Sequence, residues 1–596
     1  MLSGNGVDVS ARSSVLNNKL YPILSDMWEM LCPSKVTIIL KYSHFFCFFF
    51  SGGRSARSCY PAISSEQLAD VNNVKLSWDI ANTNAGSYIV QRRLERSTDF
   101  STIANVSGNT YDDYNLAITQ YVYRVTSAQN TSNEVYITTF SPKEAEYAIY
   151  DNTQVSSYLG KSNIKAHGLY YRYNYIENGT GTFYIQEQSS RDGYNFNEDR
   201  VVITSQTICA SIEGSLCHLE RATFNQNPDT GEVVMWAHLE NAINYDLAQV
   251  ACASGRPNSN WSFHGAYRPL GYDSRDMTVF VDNDPAMSAY LISAVGVNTN
   301  MTVIQLTSNW TAVDKLVNTV YVNQYREAPA MVKVDETYYL FTSRAAGWYP
   351  SQPLYITSKS IPSAWSEARE PADAATYGSQ SGVINKVGNS YAMLSDRWGA
   401  SWSPVDGENR QYMLPISFAP NDEGSAYYKF YQKTGYLLPG FANSNKVGVF
   451  GIQSGKILSV GKSVTPNPPG GTNITYVNDG IYDDPSAYFV PSGYPFTLTV
   501  DLGDSLKITQ VDLTTRMVQG SETYYQLTVM GSVDGTSYED IGDASNNTQV
   551  GYIPNFVASE RSYRYVQVNV SHIINTHNGH EAEYFGGVIE YTVYGY

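Results

Sequence analysis

A short β-hairpin unit recurs along the middle of the chain, and this repeat limits the possible fold more than any other feature. The clearest copy has strands at 329–332 and 338–343 joined by a polar turn at 335–336. Related strands lie at 169–171, 233–236, 289–292 and 391–394. Their spacing of roughly fifty residues is the length of one four-stranded propeller blade. The repeat predicts a five-bladed β-propeller, and the alternative is a β-rich domain with accidental spacing.

Length and composition agree with an all-β chain of several domains. The chain has 596 residues, too many for one hydrophobic core. It contains 49 tyrosines and 16% charged residues, and helical periodicity is scarce. The net charge of -17 argues against nucleic acid or an anionic membrane as a partner. This balance suits a soluble extracellular protein, and a high density of Asn-x-Ser/Thr sequons is consistent with a secreted glycoprotein.

We predict four regions along the chain. Residues 1–62 form a poorly defined N-terminal segment, whose apolar run at 36–50 is interrupted and too short for a confident spanning helix. Three interpretations of this run compete: a displaced signal or anchor, a buried segment, or a wrong gene start. Residues 63–142 alternate as a small β-sandwich. Residues 143–440 hold the propeller, and residues 446–596 form a jelly-roll sandwich.

The two flanking regions resemble known modules. The Leu-Ser-Trp element at 76–78 and Tyr-Val-Tyr-Arg-Val at 121–125 resemble a fibronectin type III domain. The Asn-Asp-Gly turn at 478–480, the Ser-x-Asp-Gly turn at 532–535 and the terminal Glu-Tyr-Thr-Val-Tyr-Gly at 590–595 resemble a discoidin-like (coagulation-factor type C) jelly roll. The second resemblance implies sugar binding, galactose included, with a purely structural role as the alternative.

Three carboxylic acids stand just ahead of strands in three successive units. They are Glu220, Asp276 and Glu327. Because a propeller gathers its strand ends around a central channel, we expect these acids to meet there. Several acids with aromatic neighbours are what glycoside hydrolysis needs, since one acid protonates the leaving oxygen while another group directs water. Neighbouring acids would raise one pKa and keep that group protonated. An arginine adjoins each acid, so a surface ion pair is the alternative for each.

Motifs for other chemistries are absent from the sequence. There is no His-Glu-x-x-His or Cys-x-x-Cys pattern, no Gly-x-Ser-x-Gly elbow, no phosphate loop and no dinucleotide fingerprint. We therefore expect neither a metal nor a cofactor. Cys209 and Cys217 are close enough to pair, although Cys252 could compete.

Six motifs in chain order resemble glycoside hydrolase family 43, and within it the exo-β-1,3-galactanase branch. They are Ala-His-Gly at 166–168, Leu-Glu-Arg-Ala at 219–222 followed by Val-Met-Trp-Ala-His at 234–238, Tyr-Arg-Pro-Leu-Gly at 267–271 with Ser-Arg-Asp-Met at 274–277, Glu-Ala-Pro-Ala-Met at 327–331, Gly-Trp-Tyr-Pro at 347–350 and Tyr-Gly-Ser-Gln at 377–380. The resemblance implies an inverting enzyme that releases galactose from the non-reducing end of β-1,3-galactan, as in arabinogalactan.

The resemblance also implies roles for four residues. Glu327 would be the general acid, and Asp276 would orient it and tune its pKa. Glu220 would hold sugar hydroxyls or support the acid. Gln380 would position or activate water in place of the missing aspartate base of the first blade. Water has to fit between the acid and base sides, which implies a separation of roughly 6.5–9.5 Å.

Five further residues are candidates for substrate binding. Trp348 and Tyr349 could stack on a pyranose face, and Trp398 is a similar but weaker candidate; core packing is the alternative. His167 could bond a substrate hydroxyl, or it could make a structural bond to the backbone. Arg275, next to Asp276, completes the set.

We expect a secreted monomer that acts on plant-type galactan or arabinogalactan. One alternative is another family 43 activity, on arabinofuranosides or xylosides. A second alternative is a non-catalytic sugar-binding protein, because only Leu169 separates the Ala-His-Gly motif from the following Tyr-Tyr strand. That spacing predicts a shortened first blade.

Overall fold

The structure, a computed structural model, describes most of the chain beyond residue 73. The described residues are 74–77, 87–94, 99–108, 110–114, 116, 120–127, 135–138, 147–152, 164–177, 182–191, 196–212, 216–241, 243–387, 390–402, 409–418, 425–431, 433–437, 449–452, 456–517, 522–582 and 586–596. The segment 1–62, with its apolar run, lies outside them. Two compact units divide the chain, one around residues 70–143 and one around 144–596.

The all-β prediction is confirmed for these residues. Helix is confined to single turns such as α1 (Ser205–Ile208) and α2 (Gly399–Trp402). No described helix is long and apolar enough to cross a membrane.

The described residues of the first unit form two small antiparallel sheets. β1 pairs with β4, and the other sheet has the order β3-β2-β5-β6. Leu76, Tyr88, Val90 and Tyr123 are buried in its core. The fibronectin resemblance stays a prediction, and residue 78 lies outside the described residues. The strands are β1 (Val74–Ser77), β2 (Tyr88–Leu94), β3 (Ser101–Val106), β4 (Thr110–Asp113), β5 (Gln120–Thr126) and β6 (Val135–Thr138).

In the second unit, five antiparallel sheets follow one another along the described part of residues 164–428. Each sheet is built from strands that are consecutive in the sequence. The strand β7 (Tyr147–Asp151) precedes these sheets and belongs to none of them. The first sheet contains β8 (Ile164–Ala166), β9 (Leu169–Glu177), β10 (Phe183–Ser190) and β11 (Asn197–Thr204), and the second contains β12 (Cys217–Gln226), β13 (Val233–Asn241), β14 (Gln249–Gly255) and β15 (Ser262–Tyr267). The third contains β16 (Met277–Val281), β17 (Ala289–Val295), β18 (Asn300–Leu306) and β19 (Val313–Val320), the fourth β20 (Arg326–Val334), β21 (Thr337–Arg344) and β22 (Pro353–Ser358), and the fifth β23 (Gln380–Val387), β24 (Ser390–Trp398), β25 (Asn409–Phe418) and β26 (Ala426–Tyr428).

The first strands of the second to fifth sheets lie side by side. β12 contacts β16, β16 contacts β20, and β20 contacts β23. Side-by-side first strands are what a propeller places around its axis. Closure of the five sheets into a five-bladed propeller stays a prediction. The first strand of the first sheet, β8, is described over three residues, and the shortened first blade stays a prediction.

The same irregularity occurs in three of these first strands. The ladder skips two residues after Glu220, after Glu327 and after Gln380, and each of these residues is still paired with the second strand of its sheet. A bulge bends a strand and turns its side chains to a new direction. In the fifth sheet the bulge depends on Gly382, because a Cβ there would lie 2.3 Å from the carbonyl oxygen of Leu394.

These bulges correct the predicted strand bounds. The sequence places Glu327 ahead of a strand that starts at Pro329, whereas β20 runs from Arg326 and includes both residues. The predicted start was wrong because Pro329 lies in the bulge. A residue in the bulge makes no ladder hydrogen bond, so proline, which lacks an N–H, is tolerated inside the strand. Ala328 has a φ of 48°, which turns the backbone at this point. Glu220 likewise lies inside β12, and Asp276 directly precedes β16, as predicted.

The remaining strands follow the fifth sheet. β7 pairs with β27, which pairs with β28, so this small sheet crosses the predicted boundary between 440 and 446. The long strand β31 pairs with β30, β34, β35 and β36. The strands are β27 (Lys433–Leu437), β28 (Val449–Ile452), β29 (Lys456–Ile457), β30 (Ser463–Asn467), β31 (Phe496–Thr515), β32 (Thr523–Ser532), β33 (Glu539–Ala544), β34 (Tyr552–Phe556), β35 (Ser562–Asn575) and β36 (Val588–Gly595).

This C-terminal module packs directly on the segment that leads into β23. The ring of Tyr552 lies 5.1 Å from the ring of Tyr377 and 5.4 Å from that of Phe430. Tyr552 and Tyr377 are buried in one hydrophobic cluster. Gly378 leaves room for the side chain of Gln549, since a Cβ there would lie 2.3 Å from its Nε2. The two parts of this unit therefore share a core.

The structure contains the predicted pairing of Cys209 with Cys217, and not the alternative with Cys252. Cys209 and Cys217 form a disulfide, and Cys252 is buried and free.

Candidate active site

The predicted acids meet in one cluster at the first strands of the second, third and fourth sheets. The bulges in β12 and β20 bring Glu220 and Glu327 to it, and Asp276 arrives from the start of β16. Gln380 joins from the bulge in β23. The prediction that these four side chains converge is consistent with these positions.

Glu327 is a partly buried carboxyl group of the cluster. Its Oε1 accepts a hydrogen bond of 2.8 Å from Asn298 Nδ2, and its Oε2 accepts one of 3.1 Å from Gln380 Nε2. Burial, reinforced by the negative charge of Asp276, raises the pKa of Glu327 to about 8. A carboxyl with this pKa keeps its proton at neutral pH and can donate it.

Asp276 is tied to the backbone of the same strand as the acid. Its Oδ2 accepts the Ala328 N–H at 3.0 Å and Arg221 Nε at 3.2 Å. The negative charge therefore stays next to Glu327, whose pKa it raises. The orienting and pKa-tuning role that the family resemblance implies for Asp276 stays a prediction.

Arg221 lies at the centre of the cluster. Besides Asp276, its guanidinium donates to Asp396 Oδ2 at 2.5 Å and to Gln380 Oε1 at 2.9 Å. Burial opposes its charge, yet Asp276 and Asp396 raise its pKa. Its φ of 52° is left-handed, a strained geometry for a residue with a side chain. The bulge thus holds one arginine where it can reach three sheets.

Gln380 is positioned differently from the prediction. Its Nε2 donates to Glu327 and to Ser343 Oγ, both at 3.1 Å. Its Oε1 accepts from Arg221 at 2.9 Å and from Trp398 Nε1 at 3.0 Å. All four hydrogen-bonding positions of the amide are occupied. Gln380 lies beside the acid, without the 6.5–9.5 Å gap expected between acid and base sides, because the amide fits as a clamp between Arg221 and Glu327.

Glu220 is a carboxylate of the cluster whose ionised form is favoured by its neighbours. Its Oε1 accepts the Tyr245 hydroxyl at 2.6 Å, and its Oε2 lies 3.2 Å from His238 Nδ1. Although burial opposes ionisation, the close imidazole of His238 and the hydrogen bond from Tyr245 lower the pKa of Glu220 to about 2. Its side chain is 32% exposed, so solvent can reach it.

His238 stands between two glutamates. Its Nε2 lies 2.9 Å from Glu240 Oε1, opposite its contact with Glu220. Burial disfavours its charge, but the ion pair with Glu220 and the hydrogen bond to Glu240 raise the pKa of His238 to about 9. At neutral pH the imidazole is therefore a cation that holds Glu220 in place.

Three possible ligand atoms, one each from Glu220, His238 and Asp276, lie within 4.8 Å of one another. A metal would need a neutral His238 with a free lone pair. The two glutamates instead favour a protonated imidazole, and Arg221 already neutralises Asp276. The chemistry of this donor set suits hydrogen bonding better than cation binding.

The five predicted substrate-binding residues lie in different surroundings, and only some of them are next to the cluster. Trp398 belongs to the cluster through its bond to Gln380. Trp348 and Tyr349 lie in the loop between β21 and β22, and Trp348 is 54% exposed, so core packing does not account for it. His167 is exposed in the β8–β9 turn with a φ of 51°, and no hydrogen bond links it to the cluster among the residues described. Arg275 lines a pocket next to the cluster.

Sequence reasoning gave no role to the partners on the second strands, although His238 ends one of the motifs that carry the family resemblance. His238, Ser343 and Asp396 pair directly with Glu220, Glu327 and Gln380 in the ladders. Aligning the repeats strand by strand would have identified them, because each occupies the same place in its unit.

The comparisons with known proteins address both parts of the second unit. A family model described as a NedA-like, galactose-binding domain matches residues 476–568. No curated protein sequence matches the chain. A variant of an exo-β-1,3-galactanase from Phanerochaete chrysosporium, solved with β-1,3-galactotriose, is 21% identical with a TM-score of 0.46, and the match covers 74% of this chain and 99% of that one.

Two more solved structures are similar. The exo-β-1,3-galactanase from Clostridium thermocellum is 23% identical with a TM-score of 0.45, covering 70% of this chain and 99% of that one. The β-1,3-galactosidase of family GH43 solved with galactodeoxynojirimycin is 22% identical with a TM-score of 0.37, covering 47% of this chain and 99% of that one. Function has to be read from the chemistry of the cluster.

Proposed function

We propose that this protein is a secreted, inverting glycoside hydrolase of the family 43 type, which releases galactose from the non-reducing end of β-1,3-galactan. The observation that carries the proposal is the pairing of two carboxyl groups with opposite protonation states. The pKa of Glu327 is raised to about 8, whereas that of Glu220 is lowered to about 2. Near neutral pH one is an acid and the other a base, which is the division of labour of glycoside hydrolysis.

Glu327 acts as the general acid in this proposal. Gln380 and Asn298 fix its two oxygens, and Asp276 keeps it protonated until the leaving oxygen takes the proton. As the C–O bond breaks, the negative charges of Asp276 and Glu220 stabilise the cationic sugar.

Glu220 is better placed than Gln380 to direct the attacking water. The carbonyl oxygen of Gln380 already accepts two hydrogen bonds, and an amide is a poor base. Glu220 is ionised and partly exposed, and protonated His238 fixes its orientation. The water would lose its proton to Glu220 as it attacks the anomeric carbon, which inverts the configuration.

A five-bladed propeller with the cluster in its central channel is the architecture we propose. Arg221 of the second sheet reaches Asp396 and Gln380 of the fifth across the ends of the first strands. That reach is what closure of the ring would produce. The C-terminal module, which matches a galactose-binding family model, would bring the polysaccharide to this channel.

Two substrates and one substitution test the assignment. Glu327→Gln should lose roughly 10²–10⁴-fold in kcat on β-1,3-galactan. The loss should be far smaller on an aryl galactoside whose phenol leaves without a proton. Glu336→Gln, an exposed change in the next turn, is the matched control. Near-normal galactan activity in Glu327→Gln removes the acid assignment, and binding of galactan without sugar release by the wild type would favour the non-catalytic alternative.

A further inference from the structure

A pocket adjoins the cluster where the second and third sheets meet. Tyr245, Tyr272, Arg275 and Val297 are among the residues that line it. Tyr245 also donates to Glu220, and Arg275 directly precedes Asp276. The pocket therefore opens beside the reacting groups.

Arg275 is the unusual group in this pocket. Its Nε is buried without a hydrogen-bond partner, and within the described part of the chain its side chain forms no ion pair. The other arginine of the pocket, Arg268, donates to the carbonyl oxygens of Leu247 at 3.0 Å and Asp246 at 2.9 Å. An unpaired buried donor costs free energy unless a ligand supplies its acceptor.

The two acids that line the pocket, Asp246 and Asp273, do not form ion pairs with Arg275 among the described residues. Asp273 accepts the backbone N–H groups of Gly296 at 2.7 Å and Val297 at 3.0 Å. Asp246 accepts the side-chain amide of Asn244 at 2.6 Å. Among the described residues of this lining, Arg275 is thus the one with a buried side-chain donor that lacks a hydrogen-bond partner.

We propose that this pocket binds the carboxylate of a uronic acid unit carried on the galactan next to the scissile linkage. A guanidinium fork matches a carboxylate with two parallel hydrogen bonds. The half-exposed rings of Tyr245 and Tyr272 offer flat faces and hydroxyl groups for the sugar itself. The inference rests on the proposed function and narrows its substrate to acidic galactans.

Carboxyl reduction provides a matched pair of substrates. Uronate-bearing β-1,3-galactan oligosaccharides are compared with the same oligosaccharides after reduction of the carboxylates to alcohols. Wild-type kcat/KM should favour the acidic form by about tenfold, the size of one charge-assisted hydrogen bond. Arg275→Gln should bring the ratio near one, and Arg275→Lys should keep part of it. The ratio is the readout, so a general loss of activity does not imitate the effect, and thermal unfolding verifies that each variant is folded.

Binding separates this inference from the proposed function. In Glu327→Gln, calorimetry should show tighter binding of the acidic oligosaccharide, and adding Arg275→Gln should remove that preference. Equal affinity for both forms in Glu327→Gln overturns the pocket assignment, whether or not the wild type hydrolyses galactan. Failure to release sugar together with preferential binding of the acidic form would overturn the catalytic proposal and keep the pocket.

Discussion

Arg221 Nη1 of the second sheet lies 2.5 Å from Asp396 Oδ2 of the fifth sheet. The two residues are far apart in sequence, and the same guanidinium also holds Asp276 and Gln380. The guanidinium of Arg221 therefore positions the groups on both sides of Glu327. Its positive charge lowers the pKa of Glu327, which the negative charge of Asp276 raises.

Removing Arg221 should change both activity and its pH dependence. In Arg221→Met the acid should lose its proton at a higher pH, so the alkaline limb of kcat/KM should move upward. Breaking a buried pair also leaves Asp396 unpaired and should cost about 3–5 kcal/mol of stability. Arg221→Lys keeps the charge but loses the planar fork, so its limb should stay near the wild-type position while kcat falls.

The check is a pH–rate profile with thermal unfolding for each Arg221 variant. Arg256→Gln, in an exposed turn of the same sheet, is the control. A downward shift of the limb in Arg221→Met would contradict the assigned electrostatics.

Asp276→Asn should move the same limb in the opposite direction. Glu327 works only while protonated, so wild-type kcat/KM should fall as the pH rises through about 8. Without the neighbouring negative charge the acid ionises more easily, and the limb should shift down by about one pH unit. The shift is measured from pH–rate profiles of the wild type and the variant on a short galactan oligosaccharide. An unchanged alkaline limb of kcat/KM would mean that the charge of Asp276 does not affect the pKa of Glu327.

The repeat allowed much of this site to be predicted, and the bulges account for what was missed. Glu220, Asp276 and Glu327 could be selected because each stands at the start of a unit. The direction of Gln380 could not, because it depends on Arg221, whose left-handed backbone has no signature in a strand-like sequence. Asp396 lies on the second strand of its sheet. Its place in the site could not be predicted without the strand pairing that puts it opposite Gln380.

His238 should make stability depend on pH. Its pKa is about 9 in the folded protein and near 6.5 when unfolded, so its contribution is fully present below about pH 6.5. The contribution should be lost as the pH rises through about 9, lowering the free energy of unfolding by roughly 2–3 kcal/mol. His238→Asn should flatten this part of the profile. Denaturant unfolding at several pH values measures it, and a wild-type curve that stays level between pH 7 and 10 would mean that the imidazole is neutral.

Loss of the C-terminal module should harm activity on small soluble substrates as well as on polymer. A simple targeting module would be dispensable for short oligosaccharides, but Tyr552 packs on Tyr377, three residues before Gln380. Tyr552→Ala should cost about 3–5 kcal/mol, as truncation of a buried aromatic does. Its rate on a short galactan oligosaccharide should fall with it.

The control for this substitution is Tyr476→Ala, which changes a tyrosine that is 39% exposed in the same module. Thermal unfolding and turnover of the short oligosaccharide are measured together. Full activity in a chain that ends before residue 456 would show that the catalytic sheets need no support from the module.

The shared core around Tyr552 has a consequence for anyone who builds chimaeras from this protein. Swapping in a foreign sugar-binding module, as is done with modules on flexible tethers, would leave the rings of Tyr377 and Phe430 without their counterpart. A working hybrid would have to transplant the 549–552 turn along with the new specificity.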